Sequence, residues 1–180
     1  MCTPERRRAA ALAVALAVAP VPIAAAATGA DAAPGATRDA AGADGTLPPT
    51  VFPDGTGLPG GGATAREGAA PYARLCAGCH GERGEGARAV ELVGDPASLD
   101  GEEPDRGVAA RWPYAAPLFD YVRRAMPPDA PWSLDARTAY AVVARVLELN
   151  GLVDADVRVD ARLLGGLPMP NAGRFLRAER

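Results

Sequence analysis

Residues 76–80 read Cys76-Ala77-Gly78-Cys79-His80, and the reading of this stretch decides what must surround it. Two thiols three positions apart, followed at once by an imidazole, form the attachment sequence of a c-type haem. The spacing has a chemical reason. At a helix end the two thiols can reach two vinyl groups and form thioethers, and the next side chain, His80, then points at the iron as an axial ligand. Three other uses compete. A zinc site asks for four soft ligands, whereas the mature chain offers Cys76, Cys79 and His80, since Cys2 lies in the leader described below. A thioredoxin-like pair belongs in a βαβ context, and these flanks read as helix and loop. A disulfide between residues three apart is open to an exported protein. The single histidine of the chain stands directly after the second cysteine, which favours haem attachment over all three.

The far side of such an iron is assigned by elimination. With one His in the chain a second imidazole is excluded, and Met1 goes with the leader, leaving Met126 and Met169. Met126 ends a helical pattern and precedes Pro127-Pro128, which stiffen the backbone that must hold a thioether in place. Met169 lies between Pro168 and Pro170, beyond the last helix. A methionine is more often core filler than a ligand. Met126 is the favoured sixth ligand, Met169 the alternative, and an open site comes last. His/Met ligation raises the potential of the iron and suits electron transfer rather than oxygen chemistry.

Working outward, three helices are predicted. The first covers about 64–76, with Thr64 as N-cap, Tyr72 and Leu75 on its apolar side and Pro71 within it. Gly68 and Tyr72, four apart, would let this helix cross the third closely, although ordinary packing explains them equally. The second covers 117–125, with Pro117 at its start and Leu118, Phe119, Val122 and Ala125 at helical spacing. The third begins at Asp135, runs through Tyr140, Val143 and Leu147, and leaves through Asn150-Gly151. Residues 81–116 form a long loop rich in Gly, Pro and acids, of the kind that wraps around something. Trp112 and Tyr114 could bind a haem propionate, but ordinary burial explains them equally and they are not counted in the site. Residues 152–180 read as an extended, irregular tail.

The ends and the composition set the context. Arg6, Arg7 and Arg8 precede an uncharged run over 9–27 and then small residues, the pattern of a secretory signal peptide. The run is Ala-rich and broken by Pro20 and Pro22, which favours cleavage over a retained anchor. The organisation expected is therefore a signal peptide over 1–32, a flexible linker over 33–62, a haem domain over 63–151 and the tail over 152–180, in an exported protein. Membrane attachment would arise only if the leader stays on. The 19 basic residues are all Arg and are outnumbered by 22 acids, so no nucleic-acid partner is implied. Three Phe, two Trp and four Tyr are few for a core of this size. A buried cofactor would supply the missing apolar mass.

Residues 50–79 (TVFPDGTGLPGGGATAREGAAPYARLCAGC), 112–134 (WPYAAPLFDYVRRAMPPDAPWSL), Leu147-Glu148-Leu149-Asn150-Gly151 and Pro168-Met169-Pro170-Asn171 together resemble the cytochrome c subunit of Sox-type sulfane/sulfite dehydrogenase. The resemblance spans roughly 50–175. It implies an all-α class I cytochrome c fold, three main helices around one covalently bound haem. It implies too a periplasmic setting, a partner subunit carrying a molybdenum cofactor that oxidises a sulfur compound, and a downstream cytochrome that takes the electrons. It places the distal ligand at Met126. The chain itself would be an electron carrier and not an enzyme. Two departures stand out: the second haem domain that such proteins often carry is absent from this sequence, and Thr138 replaces an acidic residue at the start of the third helix. The rival readings are a free-standing soluble cytochrome c and an open-site haem sensor or peroxidase-like protein.

Overall fold

The computed structural model describes residues 49–174; the leader expected over 1–32 and most of the linker lie outside the described residues. Among the described residues six α-helices follow one another: α1 Ala65–Leu75, α2 Ala77–His80, α3 Val108–Arg111, α4 Ala116–Ala125, α5 Ala136–Leu149 and α6 Ala161–Gly166. Two 3-10 turns, Pro96–Asp100 and Ala172–Arg174, complete them. Among the described residues there is no strand, only an isolated antiparallel bridge between Ala63 and Val159. No described helix is long and apolar enough to cross a membrane.

α1 and α5 start where a side chain satisfies free amides, whereas α4 has no side-chain cap. Thr64 accepts from Glu67 N–H while the Glu67 carboxylate accepts from Thr64 N–H at 2.7 Å, a reciprocal capping box for α1. Asp135 accepts from Thr138 N–H at 2.7 Å and caps α5. The return half of that box needs an acid or amide at 138, and Thr138 does not provide it. α4 begins one residue earlier than the sequence predicts, at Ala116, with Pro117 in second place, where its missing N–H costs nothing. The exit from α5 is divided between two residues: Asn150 stays at φ −88° and Gly151 takes the left-handed conformation at φ +69°.

α5 is the central rod. Ala139 to Ala144, Val146 and Leu147 are all buried, so it is apolar nearly all round and needs cover on every side. α1 covers one side at close range. A methyl group at Gly68 would overlap the Ala141 carbonyl, so only glycine lets the two backbones meet. α4 covers another side, where the Phe119 and Tyr140 rings pack tilted with centroids 4.4 Å apart. The scarcity of large side chains is thus met in part by bringing backbones together over Ala and Val.

The stretch after Gly151 departs from the expectation of an extended tail. Val159 pairs with Ala63 through both backbone bonds (3.0 and 2.8 Å), Asp160 caps α6, and Leu164 and Met169 are buried in the core. The missing sequence signal has a simple cause: α6 has six residues and presents one fully buried side chain, too few for a helical period to show. Residues 49–62, expected as part of a tether, also pack: Val51 is buried and Tyr140 O–H donates to Pro59 C=O at 2.7 Å.

Candidate metal centre

Cys76 is the hinge of the site. It closes α1 by donating its N–H to Tyr72 C=O at 2.8 Å, and it opens α2 by accepting from Cys79 N–H and His80 N–H at 3.1 and 2.9 Å. One short turn therefore carries Cys76, Cys79 and His80 together. Gly81 ends it at φ +85°, a conformation that suits glycine. The buried Tyr72 phenol donates to Gly81 C=O at 2.8 Å and locks the turn against α1. Burial first, and Cys79 second, push the Cys76 thiol up to about 11. Both thiols are half-buried and unpaired.

The following loop folds back over the turn. Gly86 N–H donates to His80 C=O and Ala89 N–H to Cys79 C=O, both at 2.8 Å, and Arg88 Nε donates to Gly78 C=O at 3.0 Å. These bonds bring Val90 C=O to 2.7 Å from His80 Nδ1. A carbonyl can only accept, so Nδ1 carries the hydrogen and Nε2 keeps its lone pair for a ligand. The long loop expected over 81–116 is in this way wrapped over the turn, and it contains α3, which four residues were too few to announce.

Met126 comes from a separate element. It is the C-cap of α4, half-buried, in extended conformation, with N–H bonded to Val122 C=O at 3.1 Å. Residues 127–133 turn back through Ala130 N–H to Pro127 C=O and Ser133 N–H to Ala130 C=O. Trp132 adopts φ +63° and lies beneath the Arg124 guanidinium, 4.7 Å from its ring centroid, with Arg123 at 6.0 Å. Met169 is only 5% exposed and belongs to the hydrophobic core. Trp112 packs on Tyr121, centroids 5.7 Å apart, and Tyr114 is exposed. Asn150, Tyr72 and the Val90 carbonyl are parts of the site's scaffold that the sequence did not reveal as such. Of these, Val90 contributes through its backbone, so no side-chain identity could have flagged it.

The donor set fits a porphyrin iron better than a bare ion. Among the described residues no group of three or more His, Cys, Asp and Glu could hold a metal by itself. Two thiols with one imidazole whose second nitrogen is already tied are what a covalently bound haem requires. Residues 63–144 match the family described as cytochrome c oxidase, cbb3-type, subunit III. Those residues form a c-type cytochrome domain. The domain is all-helical and has the class I cytochrome c fold. Its family implies covalently bound haem c and electron transfer. The chain is also similar to a solved structure, the sulfane dehydrogenase SoxCD from Paracoccus pantotrophus, with 35% identity and a TM-score of 0.69. The similarity covers 73% of this chain and 65% of that one, so the chain spans less than two thirds of the length of the protein it resembles. A search of curated proteins finds no match.

Proposed function

We propose that the protein is an exported cytochrome with one haem c that carries single electrons, as the cytochrome subunit of a molybdenum-dependent sulfane or sulfite dehydrogenase. The observation that carries the reading is the tied imidazole: His80 Nδ1 bonded to Val90 C=O at 2.7 Å, with Cys76 and Cys79 unpaired on the same turn. In this reading Cys76 and Cys79 hold the thioethers and His80 Nε2 is the proximal ligand. Met126 is the distal ligand, favoured over Met169 because the latter is packed into the core. Bound haem supplies a ferric/ferrous couple that exchanges one electron. The chain's own residues bury it, fix the imidazole tautomer through Val90 and present a rim for docking; no residue here acts on the sulfur compound. Arg124 is poorly placed to meet a docking partner, since its head group is already paired with Asp120 and stacked on Trp132. Arg83 is exposed, and so is Arg88, although its Nε is held by Gly78 C=O. The partner and the export rest on the likeness to SoxCD and on the leader sequence.

The test is expression of the full chain in a host that attaches haem c, with three readings. One covalent haem per chain is expected. Met126→Ala should lose the thioether-to-iron charge-transfer band and gain carbon monoxide binding in the ferrous state, whereas Met169→Ala should keep the band and lose stability. A colourless product would end the electron-carrier reading, and a band lost in Met169→Ala alone would reassign the ligand. Recovery from the native periplasm with a molybdenum protein would support the dehydrogenase assignment; recovery alone would favour the free-standing carrier.

A further inference from the structure

Asn150 does more than end α5. Its side-chain amide has two N–H groups and two lone pairs, and all four are used. Nδ2 donates to Leu92 C=O at 3.0 Å and to Val146 C=O at 2.8 Å. Oδ1 accepts from Gly94 N–H at 3.3 Å and from Ala109 N–H at 3.2 Å. One residue therefore ties the end of α5 to the loop at Leu92 and Gly94 and to α3 at Ala109. The loop's other end is tied to the haem-attachment turn by the Gly86 and Ala89 amides, and its middle by Leu92 N–H and Val93 N–H to Gly84 C=O.

Val90 lies between these two anchors. Val90 is 46% exposed and is not part of the hydrophobic core, so core packing does not hold its carbonyl in place. The position of Val90 C=O, and with it the His80 hydrogen bond, is therefore set by its neighbours. On one side Ala89 is bonded to Cys79, and on the other Leu92 is bonded to Asn150. We propose that Asn150 is a positioning residue for the proximal imidazole. By pinning Leu92 and Gly94 it keeps Val90 C=O on His80 Nδ1, which makes the imidazole a stronger donor and holds the reduction potential down. The proposal rests on His80 being an iron ligand.

The experiment uses the full haem-loaded protein with Asn150→Ala and the milder Asn150→Ser, both neutral, so that no new charge acts on the iron. Thr64→Ala, which removes the α1 cap far from this loop in the chain, serves as a control for lost stability. Two quantities are read: the midpoint potential, and the solvent exchange of the hyperfine-shifted His80 Nδ1 proton in the ferric protein. Both Asn150 variants should move the midpoint upward and speed the exchange about tenfold or more, with Asn150→Ser between Asn150→Ala and the unaltered protein; Thr64→Ala should change neither. Asn150 variants that lose stability while keeping both quantities would reduce Asn150 to a structural brace and overturn the proposal. The ligand reading is tested separately in the unaltered protein. Absence of any shifted His80 ring signal there would remove that reading, and the proposal with it.

Discussion

Gly68 is where a single atom decides how α1 meets α5. An added Cβ would land on the Ala141 carbonyl and press on the Arg145 side chain, and neither backbone can retreat without moving a whole helix. Gly68→Ala should therefore lower stability by about 3 kcal/mol, although alanine is the better helix former by about 1 kcal/mol. A urea midpoint equal to that of the unaltered protein would show that the crossing can relax. The Gly68 and Tyr72 spacing allowed a close crossing without distinguishing it from ordinary packing. Tyr72 does a second thing that spacing could not show, since its phenol reaches Gly81 beyond the Cys76–His80 turn. Asn150 was legible as a helix exit for the same reason, while its four partners come from segments 41 to 58 residues away as well as from its own helix.

At the level of elements, the three long helices were readable because each carries its own start signal and a repeated apolar face. α1 continues through Pro71, which removes one backbone donor but leaves the helix intact over Ala65–Leu75. α2, α3 and α6 were not readable, having between four and six residues. α6 nevertheless completes the core. Leu164 is 1% exposed, and a methyl group at Gly165 would overlap the Asp54 carbonyl, so the helix lies close on the 49–62 segment. Leu164→Ala should cost about 2–5 kcal/mol in chemical denaturation. A cost below about 1 kcal/mol would restore the picture of a dispensable tail. The Arg66–Asp156 ion pair also joins α1 to this region, but both side chains are more than two thirds exposed. Removing it should matter little, since pairs so exposed contribute about 0–1 kcal/mol.

For the molecule as a whole, the strongest pH dependence of stability is expected on the alkaline side. Burial pushes the Tyr72 and Tyr140 phenols up to about 12, from an ordinary value near 10. The unfolded chain ionises them first, so stability is intact below pH 10 and falls as pH rises toward 12, each phenol contributing a slope of up to about 1.4 kcal/mol per pH unit. Tyr140→Phe should lose about 1 kcal/mol at pH 8, from the missing bond to Pro59, yet decline less steeply between pH 10 and 12. Equal slopes measured by circular dichroism would remove Tyr140 as a cause. The sequence by itself determined the three long helices and the local unit of chemistry, Cys76, Cys79 and His80, because both depend on residues within a few positions of one another. Tertiary structure alone decided which methionine packs in the core, how the ends of the domain close on each other and which carbonyl meets His80 Nδ1. The last depends on a backbone group that is identical in every residue, and all three are settled only when the folded chain brings distant segments together.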